Sequence, residues 1–219
     1  MKIKSKLLIL AVLGACASGA ITEPLRIGDF SRKANQGALP DGWELREKFG
    51  RANFSLCQVD GYNALGLRST NTSFCLQREV NADLAQYPIL SWKWKVTKLP
   101  ERGDFRSSKT DDQAAQLFVA FSKTQFIVYI WDTTAPEGYA GDAHTAPFIT
   151  VKVVVVRSSP AQSGKWLTET RNVAQDYRQL YGGNGKPPVV RGVRLQINTQ
   201  HTRSSAESYF ADLAFQQQL

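Results

Sequence analysis

The sequence predicts an all-β fold, a mainly antiparallel β-sandwich of jelly-roll type with one short helix. Three observations carry that expectation. Apolar and polar residues alternate with a period of two in segment after segment, the spacing of a strand with one buried face. Turn residues punctuate these segments at short intervals, and ten or so short strands so spaced fit a sandwich. Residues 173–180 form the one convincing helical run, free of Gly and Pro and poor in β-branched residues.

The elements follow in order. Residues 27–30 precede a turn-rich stretch at 37–42, and Trp43 opens a segment running to Phe49. An apolar run at 54–59 is followed by Asp60-Gly61, a hairpin signal, and by alternating Leu65 and Leu67 at 63–69. Alternation continues at 74–80. At 89–96, Trp92, Trp94 and Val96 share one face and Lys93 and Lys95 the other, so the aromatic face is expected in the core. A charged loop at 100–110 leads to strands at 116–121 and 126–131 around a Ser122-Lys123-Thr124 turn. A long loop at 133–147 precedes 148–156, the most apolar stretch, rich in β-branched residues and read as a buried strand. Short strand 166–169 comes before the helix, where Asn172 is placed to cap the first turn. Gly and Pro at 182–188 end the helix, and strands 189–199 and 209–215 close the chain. No repeat of fixed period and no low-complexity linker divides it, so residues 27–215 are expected to form a single β-sandwich domain.

The first twenty residues read as an address. Lys2, Lys4 and Lys6 precede a nine-residue uncharged apolar run at 7–15. Nine residues are too few to cross a bilayer core of about 30 Å, and this pattern is that of a secretory signal peptide. Two cleavage sites are open. Leu13-Gly14-Ala15-Cys16 resembles the bacterial lipobox, which implies lipidation of Cys16 and a membrane anchor. Ala17 rather than Asp follows Cys16, which by the sorting habit of such proteins implies the outer membrane. The other site follows Ser18-Gly19-Ala20 and would release the chain into the periplasm.

Charge and cysteines narrow the partners. The chain carries 27 Lys plus Arg against 19 Asp plus Glu, a net charge of +8. Without the three leader lysines, 24 basic residues against 19 acidic leave +5. No block of five like charges occurs and the chain reads as exported, so nucleic acid is not expected as a partner. Cys57 and Cys75 lie eighteen apart. In an oxidising compartment such a pair is expected to form a disulfide, worth about 3 kcal/mol in the chain-entropy model. Two buried thiols are the alternative.

Standard catalytic signatures are absent. There are two histidines, His144 and His201, and no HExxH, Cys cluster, Gly-x-Ser-x-Gly or P-loop. No metal centre or cofactor is expected; Asp111-Asp112 is the one place where hard oxygen ligands suit a structural calcium, and a turn cap is the plainer reading. Two alternating rows stand out. Arg194, Gln196 and Asn198, with Gln200 next in the row, project from one face of a strand, and planar amides and a guanidinium suit hydroxyl and carboxylate partners. Tyr129 and Trp131 alternate on another strand and offer a stacking platform. The competing reading is a solvated outer face plus core aromatics.

Four runs carry a resemblance: SWKWKV at 91–96, DDQAAQLFVAF at 111–121, RNVAQDYRQLYG at 171–182 and INTQHT at 197–202. Together with LPDGW at 39–43 and AESYFADLAF near the end, their order and spacing resemble the bacterial domain-of-unknown-function family 3047. The resemblance implies an exported jelly-roll sandwich, similar in outline to carbohydrate-binding modules. It implies no catalytic residue, because the family carries no assigned activity.

The leading expectation is therefore a non-catalytic, lipid-anchored binding module for a glycan or other envelope component. Tyr129, Trp131, Arg194, Gln196 and Asn198 are its expected contacts. The alternative is a polysaccharide lyase or hydrolase on the same scaffold, using His201, Tyr129 and Asp112 with Arg194.

Overall fold

The computed structural model describes residues 23–28, 30–31 and 38–217, so the leader and the Cys16 lipidation site lie outside the described residues. In chain order the first strands are β1 (Leu25–Arg26), β2 (Glu44–Phe49), β3 (Asn53–Val59), β4 (Tyr62–Thr70), β5 (Ser73–Asp83) and β6 (Ile89–Lys98). Then come β7 (Ala115–Ala120), β8 (Gln125–Asp132), β9 (Ala140–Asp142), β10 (Thr150–Ser158) and β11 (Leu167–Asn172). Helix α1 (Val173–Tyr181), β12 (Val189–Asn198) and β13 (Ser205–Gln216) complete the order. They build two sheets. One has the order β11-β6-β13-β4-β3, with β1 paired to the end of β13; the other has the order β2-β5-β12-β7-β8-β10-β9.

Local chemistry explains the joints. Asp60 and Gly61 both take positive φ, 50° and 84°, the two-residue turn whose twist matches a hairpin. Val59 consequently faces Tyr62 across β3 and β4. Asn172 caps α1 as expected, its Oδ1 accepting from the Gln175 backbone N–H at 2.9 Å. One pairing departs from the antiparallel expectation: β8 and β10 run parallel, with Val154 beside Tyr129. A parallel pair needs a crossover of a dozen or more residues, and the long 133–149 connection supplies it. Within it, β9 pairs antiparallel to β10, so the expected loop contains a strand.

The core lies between the sheets, and four aromatic rings meet at its centre. Trp92 and Trp94 come from β6, Tyr129 and Trp131 from β8. Trp92 stacks on Tyr129 with centroids 5.4 Å apart and meets Trp94 edge-on at 5.4 Å. Trp94 packs on Trp131 at 5.8 Å. These spacings are those of favourable aromatic pairs. Three of the four polar tips are tethered, while Trp92 Nε1 has no partner among the described residues. The Tyr129 hydroxyl donates to Asp176 at 2.6 Å, and Asp176 pairs with Arg171. Trp94 Nε1 donates to Glu169 at 3.0 Å, and Arg157 grips that carboxylate with two bonds. Trp131 Nε1 donates to the Ser159 carbonyl at 3.1 Å.

Two expectations are corrected here. Tyr129 and Trp131 form no exposed platform, because both are 0% exposed and face the opposite sheet. Alternation identified them as neighbours on one face, and that face is the core. Cys57 and Cys75 form no disulfide; both are free thiols. Cys57 packs with Ala64, Tyr209 and Trp166 on the outer face of the six-stranded sheet. Cys75 lies between Phe74 and Leu76, which point into the core, so it faces outward from the seven-stranded sheet. Packed sheets lie about 10 Å apart and a disulfide needs Cα atoms within about 7 Å, so two outward thiols on opposite sheets cannot meet.

Two outcomes follow. Trp131→Ala should destabilise the fold by about 3–5 kcal/mol, read as a lowered denaturation midpoint; a midpoint shift below about 1 kcal/mol would remove Trp131 from the core. Protein lacking residues 1–20 and prepared without reductant should show two titratable thiols after denaturation, and dithiothreitol should not change its melting temperature.

Candidate functional site

Because β8 and β12 send their core residues inward, the alternate residues face out from the seven-stranded sheet. On that face lies a groove of about 650 Å³. Its floor comes from cross-strand rows. Arg194 of β12 sits between Gln77 of β5 and Phe118 of β7, and Phe118 is opposite Val128 of β8. Gln196 and Asn198 continue the amide row, and Val151 and Val153 of β10 extend the apolar side. One wall is the 143–149 segment, which the Ala143 N–H to Val151 carbonyl bond holds down at 2.9 Å. The other end is walled by the 105–113 loop and by Gln200 and His201. Gly103 lets that loop pack closely, since a Cβ there would collide with the Asp112 carbonyl.

A second cavity, of about 870 Å³, adjoins the first on the same face and shares Phe118, Lys123, Phe126 and Arg194 with it. The two form one extended trough, with Arg194 at the junction.

A chain of hydrogen bonds crosses the floor. Lys48 Nζ donates to Gln196 Oε1 at 2.7 Å, Gln196 Nε2 to Gln116 Oε1 at 3.3 Å, and Gln116 Nε2 to Asn198 Oδ1 at 2.5 Å. Asn198 Nδ2 then donates to the Asp111 carbonyl at 2.6 Å and to Asp112 Oδ1 at 3.1 Å. Fixed amides of this kind hold their remaining donors and acceptors in set directions.

The electrostatics are lopsided. Lys48, Lys123 and Arg194 line the first cavity, and Asp111 is the one carboxylate among its described lining residues. Lys48 is exposed along its stem, but desolvation of its ammonium, followed by the charge of Arg194, lowers its pKa. Burial pushes the Asp111 carboxyl up against a hydrogen bond from Gln113. Burial likewise raises the Cys75 thiol beneath the floor, against the pull of Arg194 and Lys48. Four buried side-chain atoms lack a hydrogen-bond partner among the described residues, and two of them, Arg194 Nε and Gln200 Oε1, belong to the groove. The other two are the indole nitrogens of the core residues Trp43 and Trp92.

The expected site residues separate. Arg194, Gln196 and Asn198 share the groove. Gln196 is 6% exposed on the floor. Asn198 has every amide direction taken up within the protein, its Oδ1 accepting also from the Gln113 N–H at 3.1 Å, and so acts as a brace. Tyr129 and Trp131 lie on the far side of the sheet. Asp112 is 0% exposed and engaged by four donors: Asn198 Nδ2, the His201 N–H, and the Thr202 N–H and hydroxyl. It orders the 200–202 turn beneath His201. The proposed catalytic set of His201, Tyr129 and Asp112 is therefore split across two faces of a sheet. Among the described residues no group of three or more His, Cys, Asp or Glu side chains is placed to hold a metal ion.

Sequence reading missed Lys48, Phe118 and Phe126, whereas Gln200, read as the end of the β12 polar row, does line the groove. Phe118 shares the parity of Gln116 in the AQLFVA run, and Phe126 that of Val128 and Ile130. That signal was present; only the sheet order shows that they flank Arg194, whose guanidinium carbon lies 5.3 Å and 5.9 Å from the two ring centroids.

Asp112→Ala should leave the N–H groups of His201 and Thr202 and the Asn198 amide without their acceptor. The expected loss is about 3 kcal/mol in a denaturant titration; unchanged stability would remove Asp112 from its bracing role.

The fold has counterparts among solved structures. The xyloglucanase domain of NopAA from Sinorhizobium fredii, solved in complex with cellobiose, aligns with a TM-score of 0.50 and 11% identity over 86% of this chain and 100% of that one. The family 11 carbohydrate-binding module from Clostridium thermocellum aligns at 0.48 and 10%, over 90% and 96%. The family GH12 endoglucanase 3 from Trichoderma harzianum aligns at 0.44 and 8%, over 91% and 98%. At these identities the NopAA likeness is one of fold. No curated protein matches the sequence significantly. A family model does match, over residues 41–214, covering strands β2 to β12 and most of β13, and the chain belongs to that family, described as protein of unknown function (DUF3047).

Proposed function

We propose that the protein is a glycan-binding β-sandwich that holds an oligosaccharide along the trough of the seven-stranded sheet. The observation that carries this reading is the make-up of the floor. Apolar faces from Phe118, Phe126 and the β8 and β10 side chains lie beside a row of braced amides. Sugars present apolar C–H faces and hydroxyl edges, so such a surface meets both. The NopAA xyloglucanase domain shares the fold and was solved with cellobiose, which supports the reading by analogy. The basic start and short apolar run support a place outside the cytoplasm, in the periplasm or, through lipidated Cys16, at the outer membrane.

Cleavage of a polysaccharide is the second reading, and His201 favours it. Its Nδ1 donates to the Ser108 carbonyl at 2.6 Å, which leaves Nε2 basic in the neutral ring. Glycoside hydrolysis usually employs two carboxylates. Asp111 is the one in the described lining of the first cavity beside His201, while Glu44, paired with Arg46, and Glu79 line the adjoining cavity, so no two carboxylates share the cavity of His201. Binding is thus the better-supported function.

The test is a glycan-array and polysaccharide-pulldown screen, with the same samples assayed for new reducing or unsaturated ends. Binding without product is expected. Phe118→Ala should weaken it about tenfold, equivalent to about 1.4 kcal/mol, in a protein that still melts cooperatively. Binding that ignores Phe118→Ala would move the site elsewhere, and product would make the protein an enzyme.

A further inference from the structure

Resting on the glycan reading of the trough, we propose that its ligand is an acidic glycan and that Arg194 receives the carboxylate of a uronic-acid residue. Of the twelve other described arginines six are ion-paired; of the rest, Arg26, Arg102, Arg178, Arg191 and Arg203 are exposed, and Arg78 donates to the Ile27 carbonyl. Arg46, Arg51, Arg68, Arg106, Arg157 and Arg171 each lie within 3.3 Å of a carboxylate oxygen. Arg194 has no such partner. Its described hydrogen bond is a long one, from Nη2 to Gln77 Oε1 at 3.4 Å, and its buried Nε has no acceptor. A guanidinium carries five donors in a planar fork, and leaving a buried charge uncompensated is costly.

Its setting suits one kind of acceptor. Phe118 and Phe126 lie against the guanidinium and fix it by cation–π contact. The side chain stands where the two cavities join, so a bound oligosaccharide must pass it. A carboxylate accepts two parallel N–H bonds from such a fork, which a sugar hydroxyl cannot do. Lys48 and Lys123 add positive charge in the first cavity, where Asp111 alone opposes them among the described lining residues, and Arg78 and Arg191 accompany Glu44 and Glu79 in the second. Burial first and the neighbouring guanidinium second lower the Lys48 pKa, with Asp111 acting in the opposite sense.

The test measures affinity by calorimetry for oligogalacturonate and oligomannuronate, for the same oligosaccharides after reduction of their carboxyl groups, and for sulfated carrageenan oligosaccharides. The expected result is binding of one oligouronate at least tenfold tighter than its carboxyl-reduced counterpart, weakening as salt is raised. Arg194→Gln should bring that ratio down to about one. Arg194→Lys keeps the charge without the fork and should retain only part of the ratio, so it answers the question if the glutamine variant fails to fold. Equal affinity for charged and reduced sugars overturns the acidic assignment and leaves the glycan trough standing. Preference for the sulfated sugar overturns the carboxylate assignment. No affinity for any of these sugars, with neutral glycans also silent in the array, overturns both.

Discussion

The contact between β6 and β8 across the sandwich governs the rest of the structure. Trp92 and Trp94 meet Tyr129 and Trp131 at ring spacings of 5.4 to 5.8 Å. Large rings bury the most apolar area per residue, so this cluster sets which face of each strand turns inward. A shift of one residue in β8 would expel both rings and bring Val128 and Ile130 into their place. The register of the seven-stranded sheet therefore depends on the aromatic cluster, and the outer floor inherits its composition from that register.

Polar groups at the edge of the core make the arrangement specific. The Tyr129 hydroxyl ends on the Asp176–Arg171 pair, and Trp94 ends on the Glu169–Arg157 pair. Asp176 and Arg171 lie on either side of the cap that starts α1, so the helix is fastened to the core through the tyrosine it covers. Tyr129 and Trp94 are thus fixed by packing along their faces and by a charge-assisted bond at the tip.

The trough follows from the same constraint. Once β8 and β12 point Tyr129, Trp131, Leu195 and Ile197 inward, Arg194, Gln196, Phe118 and Val128 have nowhere to go but out. The crossover that the parallel β8–β10 pair requires then returns over that face and becomes a wall. A long connection, costly in ordering, is what closes one side of the cavity. Asp112 performs the matching task at the opposite end, tying the turn at 200–202 to the loop before β7.

By itself the sequence determined the strands, the hairpin at Asp60-Gly61, the capped helix and the polar face of β12, because each depends on neighbours two to four residues away. Period-two alternation showed that Tyr129 and Trp131 share a face. It could not show which face was the core, because β8 is apolar on both sides: its rings meet the opposite sheet, and Val128 and Ile130 pack on the outer face with Val151, Val153 and Val155 of the adjacent β10 and with Phe105. In β12 the ambiguity did not arise, since only one of its faces is apolar. Tertiary structure alone decided that Cys57 and Cys75 lie on opposite outer surfaces, that Phe118 and Phe126 flank Arg194, and that Lys48 reaches Gln196 from 148 residues away. The physical reason is the same in each case: strand order within a sheet is set by which apolar faces pack together over the whole chain, and local spacing carries no record of it.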